Sequence, residues 1–281
     1  MKLAYAALAA LLLACITGEA QVRMPEPMRQ TGDAITGAFE GWFPNPDGTF
    51  TMLFGYFNRN RNQPIDIPIG PDNRIEPGGP DRGQPTHFLP GRGWGVFGVK
   101  VPADFGDKKI NWTLTANGKT AVIPGTLKPD YEVSPFTEAS VGNTPPIIRF
   151  EENGASVQGP QGMLVERIAK VGTPLSVTAW VTDDAKFVST TGARPKVLPP
   201  PVILHWVQYR GPAPVTFSTL TPPVEAIATT PLYRGKSTVE VTFTQPGDYT
   251  LEVQANDYSG IGGRGFQCCW SNAQVHVNVQ P

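Results

Sequence analysis

The sequence predicts an all-β protein of two β-sandwich-like domains following a cleaved signal peptide. Three observations carry this. First, 30 Gly and 30 Pro in 281 residues make about a fifth of the chain, against roughly an eighth in average proteins, and both residue types weaken helices. Second, apolar residues recur with period two rather than 3.6 in one segment after another, the pattern of half-buried strands. Third, 40% hydrophobic and 17% charged residues provide core material that a disordered chain lacks.

The elements follow in order. Met1-Lys2 gives a short positive end, and residues 3–16 are a run dominated by Ala and Leu. That run fits a signal-peptide core and is shorter than the roughly 20 residues that span a bilayer. Gly18-Glu19-Ala20 places small residues where a peptidase reads them, so 1–20 is the expected signal peptide, with cleavage before Gln21. Leu12-Leu13-Ala14-Cys15 also resembles a lipobox, which would leave a lipid anchor on Cys15. The mature chain is expected in the periplasm or outside the cell, without a transmembrane segment, where disulfides persist.

An N-terminal aromatic-rich β domain is expected over 34–128. Phe50, Met52, Phe54 and Tyr56 alternate along 49–57, after the turn Asn45-Pro46-Asp47-Gly48. Phe97, Val99 and Val101 mark another strand. Ile110, Trp112, Leu114 and Ala116 mark a third, closed by the hairpin signal Asn117-Gly118. Between them, 70–93 is so rich in Pro, Gly, Asp, Asn and Arg that no regular element is expected, and a long loop of this kind is functional or disordered.

The boundary falls in 129–146, where prolines and glycines interrupt any ladder. A second domain is expected over 147–281. Its strands are marked by Leu175, Val177, Ala179 and Val181; by Val239, Val241 and Phe243; by Tyr249, Leu251, Val253 and Ala255; and by Val275, Val277 and Val279. Short strands with one apolar face need a covering sheet, and an immunoglobulin-like sandwich is the economical solution.

The segment 245–253, Gln-Pro-Gly-Asp-Tyr-Thr-Leu-Glu-Val, and the following Ala255-Asn256-Asp257-Tyr258-Ser259-Gly260 resemble the last strands of PKD and related immunoglobulin-like modules of bacterial exported proteins. Such modules are mostly spacers or adhesion and binding units. Gly55-Tyr56-Phe57-Asn58-Arg59-Asn60, Ile67-Pro68-Ile69-Gly70-Pro71, the 83–90 and 112–118 segments and Gln267-Cys268-Cys269-Trp270 are similar to a set of uncharacterised bacterial exported β-sandwich proteins. That likeness implies no activity, but it implies that both halves travel as one protein.

Candidate chemistry is sparse. A formal net charge of -1 removes the electrostatic reason to expect a nucleic acid partner. No Gly-x-Ser-x-Gly elbow, His-Glu-x-x-His pair or phosphate loop occurs. Of three histidines, His205 and His276 are expected to be ordinary strand residues. His87, at the end of the long loop near Arg82 and Arg92, is the better site candidate. Asp183-Asp184 and Asn256-Asp257 offer oxygen atoms suited to calcium, but without the spacing of a known calcium loop; turn capping is expected. Neither a metal nor a cofactor is expected. Core packing is the favoured reading for Trp42, Phe88 and Trp94, and the runner-up makes them surface aromatics beside His87 and Arg92, since flat rings cover the apolar face of a sugar.

Cys268 and Cys269 are neighbours and cannot staple distant segments. They can bond to each other, remain thiols, bind a soft metal or reach another chain. A disulfide that shapes the corner before the last strand is expected, with Trp270 packed on it. The functional expectation is a non-catalytic exported binding or structural module at the bacterial cell envelope, partnered by a polysaccharide or another envelope protein. The alternatives are a carbohydrate-binding protein using surface aromatics and an envelope enzyme with its site in 70–93.

Overall fold

The computed structural model describes residues 28–160, 162–187, 196–258, 260 and 268–281. The expected signal peptide with Cys15 lies outside the described residues. In the N-terminal half the strands are β1 (Ile35–Pro44), β2 (Phe50–Asn58), β3 (Ile65–Asp66), β4 (Asn73–Glu76), β5 (His87–Phe88), β6 (Gly91–Val101), β7 (Lys109–Ala116) and β8 (Lys119–Thr126). They form antiparallel sheets in the orders β1-β2-β6 and β4-β7-β8, with β3 and β5 as a two-stranded patch. Asn117 and Gly118 turn the β7–β8 hairpin at φ of 49° and 73°, the left-handed pair that an Asn-Gly type I′ turn requires.

Aromatic rings fill the space between these sheets. Phe97 meets Trp112 edge-on at 4.9 Å between centroids and stacks on Phe54 at 5.4 Å. Gly37 is needed at this contact, because a Cβ there would lie 2.8 Å from both Trp112 and Ile123. Each large apolar side chain fully buried here stabilises the fold by about 1.5–3 kcal/mol.

The 70–93 segment departs from expectation. It contains β4 and β5, and β6 begins inside it. Buried asparagines pin it: Asn73 donates from Nδ2 to the Ile67 and Pro85 carbonyls at 2.9 and 2.8 Å, while its Oδ1 accepts from Trp112 Nε1 at 3.0 Å. Asn58 donates to the Gln63 and Phe88 carbonyls in the same way. Strands of two to four residues are too short to show a period, so this order is invisible in hydrophobicity.

The linker 129–146 opens with a 3-10 turn at Pro129–Tyr131 and packs over β1. Val133 N–H donates to the Trp42 carbonyl at 2.9 Å, and Phe136 meets Phe43 edge-on at 5.3 Å.

The second half has β9 (Ile147–Arg149), β10 (Ser156–Gln158), β11 (Leu164–Lys170), β12 (Leu175–Asp183), β13 (Ile203–Arg210), β14 (Val215–Phe217), β15 (Glu225–Ala228), β16 (Tyr233–Phe243), β17 (Gly247–Asn256) and β18 (Trp270–Gln280). One sheet runs β10-β9-β12-β16-β14, with β15 also on β16, and the other runs β11-β18-β17-β13. All pairs are antiparallel except β11 with β18. The expected alternation is realised: along β16 every second residue from Tyr233 to Phe243 is buried. These inward side chains meet those of β12, β13, β17 and β18 around Trp206. Among the described residues no helix is long and apolar enough to cross a membrane.

The two halves interlock. Gln208 and Arg210 flank an irregularity in β13, and the Tyr209 ring between them joins the N-terminal core. Its hydroxyl donates to the Gly83 carbonyl, and its carbonyl accepts from Thr86 N–H at 3.1 Å. Arg210 pairs both guanidinium amines with Asp81 at 2.9 and 2.8 Å. Across the seam, Trp270 packs against Gly95, and Asn272 donates to the Gly95 carbonyl at 2.6 Å.

Candidate functional site

The seam leaves a cleft of about 190 Å³ lined from both halves. The N-terminal half contributes Tyr56, His87, Arg92 and Trp94; β13 and β17 contribute His205, Tyr209, Glu252 and Gln254. The positions follow from alternation. His205 and Glu252 point outward from their sheet because Leu204, Trp206, Leu251 and Val253 point inward.

Trp94 forms an aromatic lip, 36% exposed. Arg92 supports it, with the guanidinium carbon 4.1 Å from the ring centroid. The same guanidinium donates to the Tyr56 carbonyl at 2.8 Å and pairs with Glu40, whose other oxygen accepts from Gly95 N–H. The positive charge of Arg92 is thus already matched. His87 Nδ1 lies 2.7 Å from Asp66 Oδ1, its cross-strand partner.

The C-terminal wall is buried and polar. Glu252 is 3% exposed and accepts from Gln274 Nε2 at 2.9 Å. Burial pushes its carboxyl up to about 8, so at neutral pH it is largely a protonated acid. Burial pushes His205 in the opposite direction, which leaves a neutral imidazole, and His205 Nδ1 has no hydrogen-bond partner. Gln254 donates to the Trp94 carbonyl at 3.2 Å and to Asn272 Oδ1 at 3.1 Å. The cleft is therefore walled by an exposed ring, a buried and unpaired imidazole nitrogen and a buried, protonated carboxyl, with its one arginine neutralised.

The sequence-derived candidates divide. His87, Arg92 and Trp94 come together here. Trp42 does not: it is 8% exposed, its Nε1 donates to the Lys128 carbonyl at 2.8 Å, and its ring meets Phe50 edge-on. Phe88 is fully buried between Tyr56 and Trp112. A platform of three surface rings is thus reduced to Trp94, because the other two complete the aromatic core. His205, Tyr209, Glu252 and Gln254 were not singled out as site residues. Alternation placed Glu252 and Gln254 on a polar strand face, and nothing in the sequence shows that β6 covers that face.

Cys268 and Cys269 form a disulfide and are buried. The Cys269 sulfur lies 3.4 Å from the Asn143 carbonyl oxygen, so this corner touches the linker, and the next residue, Trp270, touches the N-terminal half. Among the described residues no group of three or more His, Cys, Asp or Glu side chains is placed to hold a metal ion.

Neither a scan against protein-family models nor a search of curated proteins finds a match. Among solved structures, the chain is similar to domains 4 and 5 of the S-layer protein SbsC, at 13% identity and a TM-score of 0.24 over 89% of this chain and 98% of that one. It is also similar to a protein of unknown function from Porphyromonas gingivalis W83, at 8% identity and a TM-score of 0.22 over 88% and 100% of the two chains. At these TM-scores neither likeness carries an argument about this chain.

Proposed function

We propose that this chain is an exported, non-catalytic binding module of the bacterial cell envelope, taking a neutral, polar, ring-shaped ligand such as a saccharide unit in the cleft between its halves. The observation that carries this is the pairing of an aromatic lip, Trp94, with uncharged hydrogen-bonding groups on the opposite wall, His205 and Glu252. Apolar ring surface with a few placed polar groups is the usual make-up of a small-molecule site. The one acidic residue of the lining, Glu252, is largely protonated, and the lining holds no serine, cysteine or lysine, which supports binding over nucleophilic or two-carboxylate catalysis.

We infer further that the second half is immunoglobulin-like. Its order β9-β12-β16-β14 facing β18-β17-β13 matches the ABED and GFC sheets of that fold, Trp206 takes the place of the buried strand-C tryptophan, and the Tyr249 hydroxyl donates back to the Gln245 carbonyl at 3.0 Å as in a tyrosine corner. A polysaccharide pull-down with the mature protein tests the function. Retention that Trp94→Ala abolishes supports it; turnover of a bound glycan that His87→Ala abolishes would make the protein an enzyme.

A further inference from the structure

At the end of the second sandwich beside the linker, two buried side-chain oxygen atoms, Asp183 Oδ1 and Asn143 Oδ1, have no hydrogen-bond partner. Asp183 ends β12, Asp257 follows β17, and Asn143 belongs to the linker; they are 3%, 2% and 0% exposed. Asn143 Nδ2 donates to Asp257 Oδ2 at 2.5 Å, which sets the amide against that carboxylate, and Asn143 Oδ1 is left buried without a partner. Asp183 Oδ2 accepts from Ala185 N–H at 2.7 Å, but its Oδ1 is also buried without a partner. Asp184 is different: its Oδ2 accepts from both Thr144 N–H and Thr144 Oγ1, and Lys186 Nζ lies 3.6 Å away. Lys186 thus sits on Asp184, and among the described residues no cation lies in ion-pair range of Asp183.

Leaving a carboxylate oxygen and an amide oxygen buried without donors costs several kcal/mol. Both orphans are acceptors, so a cation answers them and an anion does not. Burial together with the neighbouring Asp257 and Asp184 charges pushes the Asp183 carboxyl up to about 8, the state of a group that must take up a proton or a metal to be at ease. We propose that Asp183, Asp257 and the side-chain oxygen of Asn143 bind a calcium ion that clamps the linker to the end of the second sandwich. An all-oxygen set drawn from three separate segments suits calcium, which accepts irregular geometry and completes its shell with water or carbonyls, better than magnesium, which demands a near-ideal octahedron. The site is independent of the cleft and stands or falls without it.

The test uses the mature protein stripped with EDTA. Calcium is expected to raise the melting temperature by about 5 °C or more at saturation. Terbium should bind and luminesce on tyrosine excitation, since Tyr233 is the cross-strand partner of Asp183, and calcium but not magnesium should displace it. Asp183→Asn replaces a carboxyl that is costly to ionise in place and can itself raise stability, so affinity is the deciding readout: the substitution should weaken terbium binding at least tenfold, whereas Asp248→Asn, at the start of β17, should not. No melting shift and no terbium signal, or terbium binding undiminished in Asp183→Asn, overturns the proposal.

Discussion

Replacing Tyr209 tests whether the two halves behave as one body. Its ring is 2% exposed and packs in the core of the opposite half. Tyr209→Ala removes that ring, and large aromatic-to-alanine changes in a core cost about 3–5 kcal/mol. The hydroxyl bond to Gly83 contributes about 1 kcal/mol of this, so Tyr209→Phe should cost only about that much. The ring crosses the seam, so Tyr209→Ala should also separate the two unfolding transitions, giving two peaks in calorimetry where the native protein gives one. The assay is urea unfolding followed by tryptophan fluorescence, alongside calorimetry. A Tyr209→Ala cost below about 1 kcal/mol with a single transition would refute the interlock.

Three further outcomes are expected. The folded Glu252 carboxyl sits at about 8, against about 4.3 unfolded; the folded state holds a proton that the unfolded state has lost across this window, so Glu252 makes stability fall as pH rises from about 4.3 to about 8, by up to about 1.4 kcal/mol per unit. Asp183 acts in the same direction, so the comparison is with Glu252→Gln: unfolding free energies at pH 5 and pH 8 should diverge in the variant's favour, and parallel curves would refute the shift. Gly95→Ala should destabilise by about 1–3 kcal/mol, since Gly95 has φ +51° and a Cβ would enter the Trp270 ring; an unchanged melting temperature would show that Trp270 is not held there. Thiol labelling of the unfolded mature protein should find no free thiol at Cys268 or Cys269 until reductant is added, and full labelling without reductant would rule out the disulfide.

Much of the fold was legible because alternation is strong where a strand has one buried face. The strands read at Phe50–Tyr56, Ile110–Ala116 and Tyr249–Ala255 all appear, and Asn117-Gly118 marks its hairpin. The order in 70–93 was not legible, because asparagine side chains and two-residue strands hold it. Alternation sorts residues into faces but does not say what covers a face. Glu252 reads as solvent-facing and is buried under the N-terminal half, while Trp42 and Phe88, for which core packing is the favoured reading and a surface role the runner-up, complete the aromatic core. The site was half legible for the same reason: His87, Arg92 and Trp94 stand out locally, whereas His205 and Glu252 gain meaning only when the halves meet.

The most direct test of the neutral cleft is a glycan array carrying neutral and acidic saccharides, probed in parallel with the mature protein and with Trp94→Ala. The mature protein is expected to be retained on neutral saccharides, and Trp94→Ala is expected to lose this retention. Retention confined to acidic saccharides, or retention that survives Trp94→Ala, would contradict a neutral cleft with Trp94 as its binding ring.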